Sequence, residues 1–411
     1  MSQSSNPAKS PGRLPSVAEA RAAMLAQVRA GAVETVALQN ASGRVLAEPV
    51  SAGRDQPPFA VSAMDGYAVR SADTPGRLHV GGESAAGHGF EGQCQKGMAI
   101  RISTGAAVPE GADAVVMQED VQRDGEHVDV PAVEAGKNIR PRGGDFTAGT
   151  LLLASGRRLD GVALSLAAAS GLAQLRVTRP PRVAILSSGD ELAAPGSTPG
   201  RFQIFDSGTF GMAGLIQSWG GVPQRLAVEK DDPAAIARAA EQGLDASDLL
   251  VVIGGASVGD HDHARPALMR LGLKLAVEKI AVRPGKPTWF GAARQGLVLG
   301  LPGNPASALV CAMLFLRPLM EAMLGRDPQA CVAMRRARLA HPLPANGPRE
   351  HYLRAHLDVD EEGRLAVRAF EDQDSSLISV FAAANALIRL APDGPATATG
   401  ALVDVLPLES I

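Results

Sequence analysis

Aromatic residues are scarce in this sequence, at 3% of its 411 residues. This scarcity argues against the base-stacking platforms that bind single-stranded nucleic acids. An excess of charge is also lacking, since Lys and Arg number 40, Asp and Glu number 43, and the net charge is −3. We therefore expect no nucleic-acid partner, although a local basic pocket remains compatible with the balance.

Cysteines and long apolar runs are equally rare. The three cysteines, Cys94, Cys311 and Cys331, have no CxxC spacing, which argues against a disulfide framework or a thiolate zinc site. No run approaches the ~18–20 apolar residues of a membrane-spanning helix, and the longest, 308–316, is typical of a buried helix. The first ten residues lack the apolar region of a secretory signal. These features predict a cytoplasmic protein with no membrane partner.

Shifts in composition divide the chain into parts of different predicted structure. Glycine (45) and proline (29) are frequent, which indicates many tight turns. Short strands between such turns favour a small β domain, and buried strands alternating with helices favour a doubly wound α/β domain. Ser16, with Glu19 at the capping-box position, predicts the start of a helix, and apolar runs predict strands at 249–253 and near 275–282. We predict a multidomain α/β protein with a disordered leader (1–14), a discontinuous helical or linker domain (15–50 and 146–178), an inserted β domain (51–145), a doubly wound α/β domain (179–327) and a C-terminal β domain (328–411).

Acidic and glycine-rich loops follow the predicted strands of the α/β domain. Ligands of open α/β sheets bind beyond the carboxyl ends of the strands, so we expect these loops to form one site. Carboxylate oxygens at that edge predict a Mg²⁺ site that also receives substrate phosphates. The acidic residues concerned are Asp190, Glu191, Asp231, Asp232, Asp260 and Asp262.

Plainer interpretations exist for some of these residues. Asp231 and Asp232 are also suitable caps for the helix predicted to begin near Pro233. His261 and His263 alternate with acids, which permits a transition-metal cluster but favours exposed histidines in a loop that leads into a helix.

Glycines and cations complete the predicted site. Gly303-Asn304-Pro305 places an N-cap residue before a helix whose N–H groups bind anions, with an ordinary capped helix as the alternative. Gly254 and Gly255 permit close approach of a phosphate, or simply form a tight turn. Positive charge for a phosphoryl or nucleotidyl group would come from Lys279, Arg283 and Lys286, although their Pro-Gly segment is also typical of a surface turn.

A set of motifs resembles the molybdopterin molybdenumtransferase family, which is related to the gephyrin C-terminal domain. No single motif is strongly specific, but their shared order is, and the resemblance covers about residues 15–411. The motifs are SAMDGYAV (62–69), RISTGAAVPEGADAVVMQED (101–120), SGDEL (188–192), GGASVGDHD (254–262), RPGKP (283–287) and LPGNPASA (301–308).

The resemblance implies the last step of molybdenum cofactor synthesis. Adenylylated molybdopterin and molybdate would be the substrates, the cofactor and AMP the products, and Mg²⁺ would assist. It also implies a homodimer whose site lies between the α/β domain of one subunit and the SAMDGYAV-bearing domain of the other. An adenylyltransferase and apo-molybdoenzymes would be transient partners.

Carried over residue by residue, the resemblance identifies candidate site residues in several domains. They are Asp65, Thr104 and Asp145, then Glu191, Asp231, Asp262, Lys279 and Lys286, and finally Ser307, Arg349 and Ser375.

We assign roles to these residues as a hypothesis. Asp65, Glu191, Asp231 and Asp262 would be catalytic, with Glu191 and Asp262 holding Mg²⁺ or ordering water at the adenylate. The loop of Gly254, Gly255 and Ser257 and the helix end at Gly303 and Asn304 would bind the dinucleotide-like substrate. The pterin phosphate or molybdate would meet Lys279, Arg283, Lys286 and Arg349.

Two alternative functions stay open from the sequence. A molybdopterin adenylyltransferase shares the α/β fold, but the flanking domains and SAMDGYAV argue against it. A non-catalytic cofactor carrier or scaffold would look similar, but the acids Asp65, Glu191 and Asp262 favour an active enzyme.

Overall fold

The structure is a computed structural model that describes residues 13–254, 263–294 and 296–408. Residues 1–12 of the predicted leader lie outside this part of the chain. The chain folds into two compact units. The first comprises the chain up to residue 34, residues 43–47 and the chain from 177 onward, and the second comprises residues 35–42 and 48–176.

The first helix, α1 (Val17–Leu25), begins at the predicted capping box. Glu19 donates its N–H to the Ser16 hydroxyl, and the Glu19 carboxylate accepts the Ser16 N–H at 2.7 Å. The buried face of α1 carries Val17, Ala20 and Met24, which pack into the core of the α/β domain. The division of 15–50 and 146–178 into one discontinuous domain stays a prediction.

From Val33 to Thr178 the chain is mostly β-structure. The elements are β1 (Val33–Ala37), β2 (Val50–Ser51), β3 (Val61–Ser62), β4 (Gly66–Val69), β5 (Gly76–Ser84), β6 (Met98–Ile102), β7 (Ala114–Met117), β8 (Gln122–Asp124), β9 (His127–Val130), β10 (Ile139–Arg140), β11 (Leu151–Leu153), α2 (Gly161–Ala169) and β12 (Gln174–Thr178).

The main sheet of the second unit has the order β7-β4-β6-β5-β9-β8 and is antiparallel except between β5 and β6. Apolar side chains such as Val69 and Ile100 cover its opposite faces. Gly66 of β4 pairs with Ile102 of β6. This register places Asp65, just before β4, beside Thr104, just after β6.

The α/β domain follows. Its elements are β13 (Arg182–Ser187), β14 (Leu192–Ala193), β15 (Ile204–Phe205), α3 (Gly208–Ser218), β16 (Val222–Arg225), α4 (Pro233–Ala246), β17 (Leu249–Ile253), α5 (Ala264–Arg270), β18 (Lys274–Val277), β19 (Val282–Arg283), β20 (Trp289–Ala293), β21 (Gly296–Leu301), α6 (Pro305–Cys311) and α7 (Arg317–Met323).

The sheet of this domain is buried on both faces, as the apolar strands predict. Its order is β16-β13-β17-β21-β20-β18, with β18 and β20 antiparallel to their neighbours. Val183 and Ile185 face a core shared with α1, α3, α6 and α7, whereas Ala184 and Leu186 face a core shared with α4 and α5. The predicted doubly wound α/β fold is therefore confirmed.

One predicted strand is wrong in detail. The sequence suggested a single strand near 275–282, but β18 ends at Val277 and β19 belongs to another sheet. The reason is the hydrogen bonding between them, because Ile280 donates its N–H to the Lys286 carbonyl and Ala281 donates to the Pro15 carbonyl. These backbone groups are thus satisfied outside the sheet.

The helix from Pro305 to Met323 is long and apolar enough, by length and composition, to cross a membrane. It is instead the buried core helix of the α/β domain, because 83% of its apolar window is buried. A π-helical turn, Ala312–Leu316, joins α6 to α7. The turn precedes Pro318, which has no N–H to continue the α-helical hydrogen bonds.

The C-terminal β domain is built from β22 (Arg335–Leu339), β23 (Glu350–Val359), β24 (Leu365–Ala369), α8 (Ile378–Ala383), β25 (Ala386–Leu390) and β26 (Leu402–Pro407). The sheet order is β19-β23-β24-β22-β26-β25, and β25 also pairs with β23, which closes the sheet into a barrel-like ring. The strand β19 comes from the α/β domain and pairs with β23 of this sheet. Arg283 therefore lies in register with His351.

Candidate active site

Three loops meet at the carboxyl edge of the parallel strands. Gly254, after β17, donates its N–H to the Leu301 carbonyl at the end of β21, at 3.2 Å. A Cβ on Gly254 would lie 3.4 Å from the Ser188 carbonyl, and one on Gly303 would lie 3.4 Å from the Gly254 Cα. The backbone at Ser188, Gly254 and Gly303 is therefore in contact at this edge of the sheet, and the two glycines are partly or fully exposed. We call this glycine-lined edge the backbone crevice; its bare backbone suits the approach of phosphate groups.

Glu191 lies in the loop after β13 with an exposed side chain. The loop is fixed to its neighbour because Gly189 donates its N–H to the Glu229 carbonyl at 3.1 Å. A methyl group on Gly189 would collide with the Glu191 carboxylate, which folds back over this glycine. Among the residues that the structure describes, the Glu191 carboxylate has no hydrogen-bond or ion-pair partner, so it is free to bind a cation.

The two adjacent acids after β16 have different environments. Asp232 is the N-cap of α4 and accepts the N–H groups of Ala234 and Ala235, each at 3.1 Å. These hydrogen bonds lower the pKa of Asp232. Asp231 is half-buried, and its carboxylate has no partner within the described ranges. The capping interpretation is thus confirmed for Asp232, whereas Asp231 stays a catalytic candidate.

Asn304 and Ser375 are brought together by the fold. Asn304 is the N-cap of α6, but its side chain makes no capping bond. Its Nδ2 instead donates to the Ser375 hydroxyl at 2.7 Å, and Ala306 donates its N–H to the Ser375 carbonyl at 3.1 Å. One N–H of the first turn is therefore already taken. Ser307 follows it and is 5% exposed.

The predicted cations are divided between two cavities. Lys286 and Arg349 line one of about 510 Å³, whereas Arg283 lines another of about 470 Å³ that also contains His351. Burial and the charges of Arg283, Arg349 and Arg354 lower the pKa of His351 to about 4. Three arginines therefore lie close to His351, and their charges suit an anion, although Glu371 also lines this cavity. Lys279, half-buried, lines neither cavity.

Asp65 and Thr104 form a pair in the inserted β domain. Thr104 donates its N–H to the Asp65 carboxylate at 2.6 Å. Hydrogen bonds from Thr104 are the main cause that lowers the pKa of Asp65, and the charge of Arg101 contributes. Arg101 is itself placed by a hydrogen bond to Gln118 at 2.6 Å. Asp145 is exposed, and no hydrogen bond joins it to this pair in the described chain.

Four predicted site residues, Gly255, Ser257, Asp260 and Asp262, lie outside the described residues, as does His261. His263 is described, and it occupies the N-cap position of α5 without a side-chain capping bond. Across residues 13–254, 263–294 and 296–408, no group of three His, Cys, Asp or Glu side chains is arranged to hold a metal ion.

The sequence reasoning missed a cavity of about 520 Å³ at the carboxyl ends of β13 and β16. Phe210 and Arg225 line it, together with Asp190, Gln203 and Lys230. The available sequence signal was Phe210, an aromatic residue near the start of α3 in a chain with few aromatics. Its partner Arg225, at the end of β16, becomes apparent only from the sheet topology.

Family models match almost the whole chain. The MoeA N-terminal region (domain I and II) matches residues 15–171, a probable molybdopterin binding domain matches 184–322, and the MoeA C-terminal region (domain IV) matches 336–408.

Individual relatives agree with these matches. A molybdopterin molybdenumtransferase of Haemophilus influenzae is 33% identical over 96% of this chain and 98% of its own length. One from Nostoc sp. is 36% identical over 78% of this chain and 76% of its own length. The solved molybdopterin biosynthesis MoeA protein of Pyrococcus horikoshii has a TM-score of 0.85 at 29% identity, covering 97% of this chain and 100% of the other. By these matches, this chain belongs to the molybdopterin molybdenumtransferase family.

Proposed function

We propose that this enzyme inserts molybdenum from molybdate into adenylylated molybdopterin and releases AMP, with Mg²⁺ assisting. The observation that carries the proposal is the crevice at Ser188, Gly254 and Gly303 beside the free carboxylate of Glu191. The relatives that carry this activity in their names match the chain over most of its length. The family membership and the site chemistry therefore support the same reaction.

The acidic residues fit Mg²⁺. Proteins usually hold this ion by one or two carboxylates together with substrate phosphates. The unpaired Glu191 carboxylate meets that requirement. Glu191 and Asp262 would hold the ion, which when bound would neutralise charge on the phosphates. Asp231 would act beside them as a second free acid.

The backbone crevice would receive the phosphate groups of the substrate. The missing side chains of Gly254 and Gly303 allow a close approach to the backbone that a Cβ would prevent. Lys286 and Arg349 line one cavity, where they would bind the pterin phosphate or the molybdate oxyanion, with Lys279 and Arg283 adding positive charge. Two-donor binding by Arg349 would favour an oxyanion over a neutral group.

A homodimer with a shared site is part of this proposal. Asp65 would reach a substrate bound at Glu191 of the partner's α/β domain. Complementation tests this arrangement. After subunit exchange, equal amounts of Asp65→Ala and Glu191→Ala protein should recover about a quarter of wild-type activity, since half of the dimers then carry one intact site. No recovery despite verified exchange would reject the shared site.

The reaction itself is tested with purified protein, adenylylated molybdopterin and Mg²⁺, with and without molybdate. AMP is followed by chromatography, and the cofactor by reconstitution of an apo-molybdoenzyme. We expect AMP release that depends on molybdate and is lost in Glu191→Ala. Tight substrate binding without AMP release would reject the enzyme and favour a carrier.

We also propose a cytoplasmic location and transient contact with an adenylyltransferase and with apo-molybdoenzymes. Cys94, Cys311 and Cys331 are all free thiols, and burial raises the pKa of Cys311 to about 12. Such unpaired thiols suit a reducing compartment. Pull-down from extracts with wild-type protein, followed by identification of the bound enzymes, tests the partners.

A further inference from the structure

The cavity of about 520 Å³ that Gly189 and Asp190 line has no role in the function proposed so far. It opens at the carboxyl ends of β13 and β16, whereas the backbone crevice lies at the ends of β13, β17 and β21. Its volume falls in the range of small-molecule sites, ~300–1,000 Å³. Apolar walls from Leu192, Pro195 and Leu226 face a few polar groups, which is the usual composition of such a site.

One wall is a stacked pair of planar groups. The guanidinium carbon of Arg225 lies 3.3 Å from the centroid of the Phe210 ring. Arg225 Nε donates to the Thr209 hydroxyl at 3.0 Å. Thr209 is in turn held by Asp206, which is 2% exposed and accepts the Thr209 N–H at 3.1 Å. Arg225 is therefore tied at Nε, through Thr209, to a buried carboxylate, and its guanidinium carbon lies over the Phe210 ring.

This pair is not explained by packing or by charge pairing. Phe210 is 46% exposed, although apolar rings gain most stability when buried. Arg225 is also exposed, and it forms no ion pair with any residue in the described part of the chain. An unpaired guanidinium that is held at Nε and has an accessible plane is a surface on which another planar π-system stacks.

We propose that this cavity binds a planar nitrogen heterocycle of the substrate, stacked on the Arg225–Phe210 pair. Carboxylates of Asp190 and Glu229 line the same cavity and suit the N–H groups of such a ring. Lys230, also in the wall, suits a phosphate attached to it. The proposal rests on the proposed function, whose substrate contains two such rings, adenine and the pterin.

The spacing of the sheet agrees with a substrate of this kind. From β16 to β21 there are three strand intervals, which together span about 14 Å. A ring at β16 and phosphates at the backbone crevice between β17 and β21 would thus be bound by one elongated, dinucleotide-like molecule. Glu191 lies in the loop between these two regions.

Calorimetric titration of the full chain tests the proposal with three probes: AMP, 6-hydroxymethylpterin and ribose 5-phosphate, which lacks a base. The variants are Phe210→Leu and Arg225→Lys, the second retaining the charge but not the plane. The matched control is Phe202→Leu. Phe202 is 82% exposed, lies 5.2 Å from the Arg201 guanidinium and does not line the cavity.

We expect Phe210→Leu and Arg225→Lys each to weaken binding of at least one heterocyclic probe by about tenfold, with Phe202→Leu unchanged. An effect on AMP alone assigns adenine to the cavity, and an effect on the pterin alone assigns the pterin. Ribose 5-phosphate should bind all variants equally.

The proposal is overturned if wild-type protein binds neither AMP nor the pterin, or if both cavity variants bind them as the control does. Failure of the proposed function is a different result, namely the absence of molybdate-dependent AMP release by the wild-type protein.

Discussion

Gly189 offers a way to displace the Glu191 carboxylate without removing it. In Gly189→Ala the new Cβ would lie 2.7 Å from Cδ of Glu191. Ordinary carbon contacts need about 3.5–4.0 Å, so the carboxylate must retreat by roughly 1 Å. Misplacement of a catalytic group by this distance can lower the rate about 10²-fold. We therefore expect molybdate-dependent AMP release to fall by about that factor.

The next loop, between β14 and β15, contains the control. Gly196 also has a positive φ, +88° against +157° for Gly189, but a Cβ there would meet nothing within 4 Å. Both alanine variants should lose a similar backbone contribution, roughly 1–2 kcal/mol of unfolding free energy. Only Gly189→Ala should lose activity beyond that explained by stability, because only its Cβ reaches the Glu191 carboxylate.

A double-mutant cycle decides whether the effect passes through Glu191. If it does, Gly189→Ala with Glu191→Ala should be no slower than Glu191→Ala alone. AMP release at saturating substrate and urea unfolding are measured for each protein. Equal activities of Gly189→Ala and Gly196→Ala, or an additive double variant, would refute this reasoning.

Two substitutions and one titration test other contacts in the structure. Asn304→Ala should cost about 1 kcal/mol of unfolding free energy by removing the bond to Ser375, and much less when Ser375 is already Ala. Asp65→Asn keeps an oxygen for the Thr104 N–H but removes the charge. The unfolding free energy of the wild-type protein should fall as the pH drops from the unfolded-state pKa of Asp65 through its lowered folded-state pKa. The variant should lack this part of the pH dependence when both proteins are unfolded across the same pH range. His351 should titrate near pH 4 by NMR. Because the pKa is lowered in the folded protein, the stability that the neutral imidazole contributes should be lost as the pH falls from the ordinary value of 6.5 towards 4. A titration midpoint near pH 6.5 would contradict this environment.

The elements that the sequence predicted well are those whose signals are local. The capping box at Ser16 and Glu19, the uninterrupted apolar strand Leu249–Ile253 and the Asn304-Pro305 helix start all depend on neighbouring residues. Their boundaries follow from hydrogen bonds and periodicity within a few positions. The order of strands and helices along the chain, and the loops that follow the parallel strands, could therefore be inferred, whereas the order of the strands in the sheet could not.

The features that escaped prediction depend on contacts between distant segments. The division of 275–282 into β18 and β19 is imposed by bonds from Ile280 and Ala281 to remote carbonyls. The stacking of Arg225 on Phe210 joins a strand end to a helix start, and the Asn304–Ser375 bond spans 71 residues. No periodicity or spacing within one segment records such pairs, so they required the three-dimensional fold.

The environments of the acids separate structural carboxylates from those available for chemistry. Asp232 accepts two backbone N–H groups, which hold its carboxylate in place and lower its pKa. Glu191 and Asp231 have no such partners among the described residues, although they lie in the same loops as residues that do. Leaving a half-buried carboxylate such as Asp231 unpaired costs stability, and a bound cation or substrate would offset that cost. We therefore expect the unpartnered acids Glu191 and Asp231 to act in the reaction, and Asp232 to act only as a helix cap.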